Sequence, residues 1–318
     1  MKDISTRFVF LDVLLDGLHE EGTKRLNKIP IKGISQDSRE IDENFLFFAL
    51  KGEKLDGNDF INDALIKGAA LVLTDNKGLT GSKVLYIPDL RESLGIICSR
   101  FYEEPSQDLE TICVTGTNGK TSCVEMISQI AKLINFQCGY ISTIGTSLDG
   151  KNLIQSSSLT TPDPITLQKT LFEMIHVDTK QVAFEASSHG LSQSRIVGTS
   201  IDTAILTSFS HDHLDYHRNF ENYKTAKKKL FTELKPKNII LNIDNSLGKE
   251  IYKELKQSKE SCSVFTVSNQ EESDFYYSFS RKKNGRIHVN LKTPQKDINF
   301  SLNTISRPLA SNAIFAIA

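Results

Sequence analysis

The sequence has few cysteines, no long apolar run and no excess of charge of one sign. Its five cysteines are odd in number and form no CxxC pair, so neither a disulfide framework nor a cysteine-ligated zinc site is indicated, and we expect buried, reduced thiols. No segment approaches about 18 uninterrupted apolar residues, the length that a membrane-spanning helix needs. The formal net charge of −1 gives no general attraction to nucleic acid or anionic membranes. Any charged ligand must therefore be bound by a local site.

The N-terminal apolar run, FVFLDVLLDGL, does not have the form of a signal peptide. Asp12 and Asp16 interrupt it, and no small-residue cleavage site follows. We therefore expect a cytoplasmic protein, and a monomer is the simplest expectation for its oligomeric state.

The length and the order of the apolar patterns predict two α/β domains. At 318 residues the chain exceeds one ordinary domain of about 100–200 residues. From about Leu109, four short β-branched runs (TICVTGT, QVAFEAS, TAILTSF and KNIILNID) alternate with helical patterns, which is typical of a mainly parallel sheet wrapped by helices. We place a smaller N-terminal α/β domain at residues 1–108 and a central domain at residues 109–318, joined by the linker Tyr102–Asp108. The final NAIFAIA has a helical pattern without a stop signal, which is typical of a fragment.

The segment CVTGTNGKTSCVEM has the strand, glycine turn and helix of a phosphate-binding P-loop. Glycine lets backbone N–H groups point at phosphate oxygens, and the helix N-terminus adds a favourable dipole. Lys120 would reach the terminal phosphates, and the Thr121 hydroxyl can ligate Mg²⁺. The usual GxxxxGK(S/T) pattern has glycine where this chain has Val114, so a glycine turn before an ordinary helix is the alternative. The helix positions predicted to face the core are Cys123, Ile127, Ile130 and Ile134.

A second polar segment, SFSHDHLDYH, follows an apolar strand. Open α/β sheets bind ligands at the carboxyl ends of their strands, and aspartate and histidine side chains are common metal ligands. The segment is therefore a candidate metal-binding site. A zinc hydrolase of the metallo-β-lactamase type is one alternative, but its HxHxDH pattern fails at Tyr216. In the other alternative these side chains, above all those of His211 and His217, are solvated or cap the next helix. The residues concerned are His211, Asp212, His213, Asp215 and His217.

The next segment, NFENYKTAKKKLF, puts a lysine on the apolar face of a predicted helix. Phe220, Tyr223, Lys227, Leu230 and Phe231 have the a, d, a, d, e spacing of one helix face. A lysine in such a place usually extends its amine to water. The alternative is a buried amine with a lowered pKa that takes part in chemistry.

The segment FEASSHGLSQSR places a carboxylate, Glu185, at the end of a predicted buried strand. Acidic residues on a strand beside a P-loop share its metal ion, so we expect Glu185 and Thr121 to hold one Mg²⁺. A Ser–His nucleophile pair is the alternative for Ser187, Ser188 and His189. We discount that pair because adjacent strand residues face opposite ways and no GxSxG elbow is present.

Taken together, these segments resemble the Mur ligase family, whose members use ATP to form amide bonds in the peptide stem of bacterial peptidoglycan. GTNGKT is common to the family, whereas SSHGL, DHLDYH and YKTAKKKLF resemble the member that adds the third residue of the stem. The N-terminal segment DSREIDENFLFFALKGEKLDGNDFINDALIKGAA resembles the uridine-binding domain of the family. The resemblance extends from about Ile34 to the end of the chain.

The resemblance implies a reaction and its substrates. ATP would phosphorylate the D-glutamate side chain of UDP-N-acetylmuramoyl-L-alanyl-D-glutamate, and the amine of an incoming amino acid, diaminopimelate or lysine, would displace the phosphate. The implied cofactors are ATP, Mg²⁺ and a CO₂-derived carbamate on Lys227. The implied setting is peptidoglycan synthesis in the cytoplasm, and with it cell-wall biogenesis, cell shape, cell division and the cell cycle.

The resemblance also assigns roles to individual residues. Thr121 and Glu185 would hold one Mg²⁺, His213 would hold the second, and carbamylated Lys227 would help to position Mg²⁺. The implied catalytic residues are Lys120, Glu185, His213 and Lys227. The implied ATP-binding residues are Gly116, Thr117, Asn118, Gly119, Lys120, Thr121 and Asn312. The implied substrate-binding residues are Ser38, Thr160, Thr161, Ser187, Gln193 and Arg195.

Several positions depart from the family pattern. Asn44 stands where a turn glycine is common, which is a mild change because asparagine tolerates left-handed backbone geometry. Ser208 and Phe209 replace an Asn–Leu pair, Asn245 replaces an acid, and Leu309 replaces an asparagine on the adenine side.

The third, C-terminal domain of the family, which brings the amino acid and closes over ATP, has no counterpart in the sequence. We therefore expect the 318 residues alone to make no product. Alternatives within the family are the ligase that adds a dipeptide and a folylpolyglutamate-type ligase, and SSHGL and DHLDYH argue against both. The alternative from another class is a non-catalytic module, which would hold the nucleotide substrate without releasing ADP in an amino-acid-dependent way.

Overall fold

The structure is a computed structural model that describes residues 7–18, 28–52, 55–149, 153–155, 159–258, 262–281 and 286–318. Contacts within it group the chain into two units. The first unit takes residues up to Pro105 together with residues 163–172 and 194–199, and the second takes residues 106–162, 173–193 and 200–318. The sequence predicts two continuous domains that meet after residue 108, whereas each unit consists of several segments of the chain. The predicted domain assignment stays a proposal.

The first unit is built on a small parallel sheet. Its elements are β1 (Val9–Phe10), α1 (Leu11–Leu15), β2 (Pro30–Ile31), β3 (Gly33–Ser35), β4 (Phe45–Ala49), α2 (Ile61–Ile66), β5 (Leu71–Thr74), β6 (Val84–Tyr86) and α3 (Leu90–Phe101). Strands β3, β4, β5 and β6 pair in parallel in that order, while β1 and β2 form a separate antiparallel pair.

Strand β4 explains how this unit forms its core. Its side chains alternate between the two faces of the sheet, as the pleat of a strand requires. Phe47 and Ala49 pack in one cluster with Ile61 of α2, while Leu46 and Phe48 pack in another cluster with residues of α3. Both faces of the strand are thus covered by helices, which gives the α/β unit that the sequence predicts. Before β4, Asn44 has φ 66°, the left-handed geometry expected where a glycine is common.

The second unit contains the longer alternation of strands and helices. Its first elements are β7 (Glu110–Thr115), α4 (Lys120–Leu133), β8 (Cys138–Ser142), β9 (Gly145–Ser147), β10 (Leu153–Gln155), α5 (Pro164–His176), β11 (Gln181–Glu185), α6 (Ser188–Ser192) and β12 (Thr203–Leu206). The later elements are α7 (Leu214–His217), α8 (Phe220–Thr232), β13 (Asn238–Asn242), α9 (Ser246–Gln257), β14 (Ser263–Ser268), β15 (Phe275–Arg281), β16 (Ile287–Lys292), β17 (Asp297–Leu302) and α10 (Arg307–Ile317). Helix α5 begins among the residues of the first unit and ends in the second.

Among the described residues, one 11-stranded sheet joins the strands of the second unit in the order β10-β9-β8-β11-β7-β12-β13-β14-β15-β16-β17. The strands from β8 to β15 in this order run parallel, and antiparallel pairs extend the sheet at both ends. The four β-branched runs of the sequence are β7, β11, β12 and β13, which lie side by side in the middle. The predicted α/β class with a mainly parallel sheet is confirmed.

Helix α4 follows the glycine turn as predicted, but its apolar stripe is shorter than predicted. Cys123 and Ile127 are buried in the core of the unit. Ile130 is half-buried, and Ile134 lies past the end of the helix with 71% of its surface exposed. The helix ends at Leu133, one residue before the stripe could continue.

The composition predicts buried thiols and no membrane-spanning helix. Cys98, Cys113, Cys123 and Cys138 are buried free thiols, as expected, whereas Cys262 is partly exposed. Within the described parts of the chain, no helix combines the length and the apolar character that crossing a membrane requires.

Candidate functional site

The predicted P-loop and the predicted acidic residue lie next to each other because of the strand order. Strand β11 pairs with β7 on one side and with β8 on the other, so Glu185 is opposite Val114. Strand β12 pairs with the other edge of β7, with Leu206 opposite Thr115. The carboxyl ends of β8, β11, β7 and β12 therefore meet at one edge of the sheet, where open α/β sheets bind ligands.

The glycine turn between β7 and α4 adopts a backbone that requires glycine. Gly116 has φ 155° and Gly119 has φ 89°. A β-carbon on Gly116 would clash with the Thr207 hydroxyl, and one on Gly119 would clash with the side-chain amide of Asn312 in α10. Val114, the departure from the usual motif, is a fully buried residue of β7. The turn begins after it, so the absence of glycine at 114 leaves the turn intact.

Lys120, the first residue of α4, folds over the turn that precedes it. Its Nζ donates hydrogen bonds to the carbonyl oxygens of Gly116 at 2.9 Å and Thr117 at 3.1 Å. Burial lowers the pKa of Lys120, while the negative charges of Glu185 and Asp212 act in the opposite direction. The amine is thus held at the mouth of the glycine turn with two carboxylates near it.

The loop after β12 holds the glycine turn through Ser208 and the residue before it. The Ser208 hydroxyl accepts from the Asn118 N–H and donates to the Asn118 carbonyl oxygen, both at 2.9 Å. The Thr207 hydroxyl donates to the same carbonyl at 2.7 Å. Phe209 stacks on Tyr223 with ring centroids 5.4 Å apart. Ser208 and Phe209, which replace the Asn–Leu pair of the family, therefore fix the turn and pack against α8.

Lys227 of α8 is buried, with 1% of its surface exposed. Its Nζ donates to the Gly116 carbonyl at 2.8 Å and lies 3.4 Å from the Thr115 hydroxyl and 5.0 Å from the centre of the Tyr223 ring. Burial lowers its pKa well below the usual value, the positive charge of Lys120 lowers it further, and Asp212 opposes the shift. The amine therefore does not extend to water, and its burial agrees with the alternative of a buried amine whose pKa is lowered.

Glu185 is also buried, with 1% of its surface exposed, and its carboxylate is held by Thr143. The Thr143 N–H donates to Glu185 Oε1 at 2.8 Å, and the Thr143 hydroxyl lies 3.3 and 3.4 Å from the two carboxylate oxygens. The same hydroxyl lies 3.2 Å from that of Thr160. Sequence analysis did not identify Thr143. The sequence indicates this residue only weakly, because its one distinguishing feature is that it comes directly after the segment CGYIS.

The histidines of the second polar segment have different environments. His213 is partly exposed, has φ 51°, and its ring centroid is 5.0 Å from that of His189. His211 is exposed and stacks on Phe220 at 4.1 Å. His217 is buried, and its pKa is lowered by burial, then by His189 and His213. Solvation is therefore correct for His211 and wrong for His217.

A preformed cluster of acidic residues or histidines is absent from this segment. Among the residues that the structure describes, no three His, Cys, Asp or Glu side chains come together as a metal-binding group. His211, His213 and Asp215 therefore do not form such a group among the described residues. A cation that binds through few protein ligands, such as Mg²⁺, is compatible with this finding.

The predicted substrate residues Thr160, Thr161 and Ser187 lie around Glu185 in the second unit, which also contains Gln193. The Thr161 hydroxyl donates to the Glu185 carbonyl at 3.0 Å and accepts from the Ser187 N–H at 2.8 Å. The Gln193 amide donates to the Tyr216 hydroxyl at 3.1 Å, and Thr160 contacts Thr143 as described above. The strand ends at Glu185, and Ser187 caps α6 by accepting from the Gly190 N–H. The strand argument used against a Ser–His pair is therefore wrong, although the Ser187 hydroxyl already bonds Thr161 and Gly190.

The remaining two predicted substrate residues, Ser38 and Arg195, belong to the first unit. Ser38 is buried in a 3-10 turn and lines a cavity of about 390 Å³. Asp37 and Arg39 line it too, and their hydrogen bond lowers the pKa of Asp37 to about 2. Gly52 is also on the cavity wall.

Comparison with known proteins gives consistent results for both units. A model of the Mur ligase middle domain matches residues 114–318, and a model of the Mur ligase family catalytic domain matches residues 30–102. A UDP-N-acetylmuramoyl-L-alanyl-D-glutamate–2,6-diaminopimelate ligase from Rickettsia prowazekii is 46% identical over 67% of this chain and 45% of its own length. The ligase of the same name from Pseudomonas syringae is 35% identical over 90% of this chain and 59% of its own length. The chain thus spans about half the length of the curated relatives it matches.

Solved structures show the same similarity. A structure of a UDP-N-acetylmuramoyl-L-alanyl-D-glutamate–2,6-diaminopimelate ligase superposes with a TM-score of 0.85 at 26% identity, over 98% of this chain and 63% of the other. The MurF ligase of Thermotoga maritima in complex with ADP superposes with a TM-score of 0.60 at 15% identity, over 89% and 61% of the two chains. The second likeness concerns the fold alone.

Proposed function

The chain belongs to the Mur ligase family, and we propose that it binds ATP and UDP-N-acetylmuramoyl-L-alanyl-D-glutamate in the ligase reaction that adds diaminopimelate to this dipeptide nucleotide. The names of the relatives support the choice of diaminopimelate over lysine. The observation that carries the proposal is the convergence of Lys120, Glu185 and Lys227 on one glycine turn at the carboxyl edge of the sheet.

The reaction needs ATP because a carboxylate is a poor electrophile until one of its oxygens becomes part of a leaving group. An oxygen of the D-glutamate side chain attacks the γ-phosphorus of ATP, and ADP leaves, which gives an acyl phosphate. The amine of diaminopimelate then attacks the acyl carbon, a tetrahedral intermediate forms, and inorganic phosphate leaves as the nitrogen loses a proton. Residues 116–121 would hold the phosphates through backbone N–H groups and the Lys120 ammonium.

The donors at this edge fit Mg²⁺. This ion favours oxygen ligands, keeps several of its waters, and takes one or two carboxylates together with phosphate oxygens. The buried Glu185 carboxylate and the Thr121 hydroxyl at the start of α4 provide such donors, and His213 would contribute to a second ion. Mg²⁺ would neutralise phosphate charge when bound.

Lys227 fits the role of a carbamylated lysine. Carbamate formation joins the nitrogen of a neutral amine to the carbon of CO₂ with loss of one proton, so a lowered pKa favours it. Burial and the charge of Lys120 lower the pKa of Lys227 in this way. The carbamate would be an anion beside the glycine turn, able to help position Mg²⁺.

Each residue predicted to bind the substrate has its own proposed contact. Ser38, on the wall of the cavity in the first unit, would contact the uridine diphosphate. Thr160, Thr161, Ser187, Gln193 and Arg195 would bind the muramoyl peptide, and the planar guanidinium of Arg195 suits a carboxylate or phosphate. Asn312 would contact adenine, a role that its position against Gly119 supports. This reaction belongs to peptidoglycan synthesis in the cytoplasm, with consequences for cell shape and cell division.

Calorimetric titration with ATP and Mg²⁺ tests the nucleotide site. Lys120→Met should weaken ATP binding by about tenfold or more, because a hydrogen-bonded charge on phosphate contributes about 1.5–3 kcal/mol. The matched control is Lys132→Met, which changes an exposed lysine at the other end of α4. Equal ATP affinities in the wild type and in Lys120→Met would overturn the assignment of the glycine turn.

A further inference from the structure

Thr143 supplies hydrogen bonds to the Glu185 carboxylate. The carboxylate is almost completely buried, so its charge requires hydrogen-bond donors. Thr143 supplies a backbone N–H at 2.8 Å and a hydroxyl 3.3 and 3.4 Å from the two oxygens. An amide donor to a carboxylate is a charge-assisted bond, stronger than a neutral one.

The fold fixes Thr143 in this place. Strand β8 pairs with β11 in parallel, with Ile141 opposite Phe184, so the residue after β8 lies beside the residue at the end of β11. Ser142 pairs with Gly145 of β9, which leaves Thr143 and its neighbour as a two-residue hairpin turn. Gly145 has φ 142°, a backbone that favours glycine and closes the turn.

The Thr143 hydroxyl also reaches the predicted substrate side of the site. Its oxygen lies 3.2 Å from the Thr160 hydroxyl. A hydroxyl has one proton, so Thr143 can donate either to Glu185 or to Thr160 at one time. The residue therefore lies between the carboxylate beside the P-loop and the threonine pair of LTTPD.

We propose that Thr143 is a positioning residue that fixes the Glu185 carboxylate for Mg²⁺ and links it to Thr160. This inference rests on the proposed function, because it assumes that Glu185 helps to hold Mg²⁺ at the nucleotide site. Thr143 contacts neither nucleotide nor metal in this role and acts only through Glu185.

The first experiment measures the Mg²⁺ concentration that half-saturates ATP binding. Thr143→Val removes the hydroxyl and keeps both the β-branched shape and the backbone N–H, and it should raise this concentration by about threefold to tenfold. Thr143→Ser keeps the hydroxyl and should restore the wild-type value. The matched control is Thr232→Val at the end of α8, where the hydroxyl bonds only a helix carbonyl. An effect of Thr143→Val equal to that of the control would overturn the proposal.

A double-mutant cycle separates positioning from a general loss of stability. If Thr143 acts through Glu185, Thr143→Val should change nothing further in a Glu185→Gln background, whereas an independent structural effect would persist there. Melting temperatures of all variants show whether each one folds.

Hydrogen exchange tests the contact without metal. The Thr143 amide should exchange faster in Glu185→Ala than in the wild type, and equal rates would overturn the contact. If the Thr143 amide of the wild type exchanges slowly but ATP binding does not depend on Mg²⁺, the proposed function is contradicted, and the positioning role with it. Mg²⁺-dependent binding that Thr143→Val leaves unchanged would contradict only the positioning role.

Discussion

The Nζ atom of Lys227 lies 2.8 Å from the carbonyl oxygen of Gly116. This hydrogen bond joins a buried lysine of α8 to the first glycine of the turn that follows β7. Among the described residues the amine donates to the Gly116 carbonyl and lies near the Thr115 hydroxyl, while Asp212 acts on it through its charge. Burial lowers the pKa of this amine well below its usual value, and the amine contacts the loop proposed to bind phosphate.

The lowered pKa of Lys227 should make stability rise with pH. Between the lowered pKa of the folded state and the usual value of 10.5, the unfolded chain binds one proton more than the folded chain. The free energy of unfolding therefore increases with pH in this window, by at most about 1.4 kcal/mol per pH unit for this one group. In CO₂-free buffer, the wild type should gain stability relative to Lys227→Met between pH 7 and 10, as measured by denaturant unfolding. Parallel stability curves for the two proteins would show that the folded lysine keeps its proton.

The same amine should react with CO₂. In buffer with ¹³C-bicarbonate, the wild-type chain should give a carbamate carbon signal in the NMR spectrum that disappears in Lys227→Met. Lys228→Met is the control, because that neighbouring lysine is ion-paired with Glu250 and Glu254 and should leave the signal in place. A spectrum without the signal in the wild type, or a signal that survives Lys227→Met, is incompatible with the proposed carbamate.

Gly119→Ala should damage the glycine turn. Alanine is strained at φ 89°, and its β-carbon would clash with the Asn312 amide. We expect a loss of about 1–3 kcal/mol in the free energy of unfolding, together with weaker ATP binding. Gly81→Ala is the control, since its β-carbon would meet Val84 at an ordinary distance of 3.4 Å and its φ lies outside the left-handed region. Equal stability of the two variants would contradict the strain assigned to Gly119.

Local sequence signals were sufficient to identify the glycine turn and the strands around it. One continuous stretch of sequence contains the strand that ends at Thr115, the glycines and Lys120. It therefore predicts both the strand–turn–helix geometry and the phosphate-binding chemistry. The helical period likewise placed Lys227 on an apolar face. Whether its amine reached water depended on the packing of α8 against the turn, which a helical period does not describe.

Relationships between distant segments could not be predicted. The contact between Thr143 and Glu185 exists because β8 lies beside β11, and strand order is a property of the whole sheet. The burial of His217 depends in the same way on packing with His189 and Tyr223. Residues 163–172 and 194–199 group with the first unit, although they follow its predicted end in the chain.

Calorimetric titration with UDP-N-acetylmuramoyl-L-alanyl-D-glutamate tests the central claim most directly. The account predicts saturable binding by the wild-type chain, weakened about tenfold or more by Ser38→Ala and by Arg195→Ala, since each removes a hydrogen bond to a charged group. Ser82→Ala, which changes an exposed serine of the first unit, should bind as the wild type does. Absence of binding, or binding that neither Ser38→Ala nor Arg195→Ala weakens, would contradict the proposed substrate.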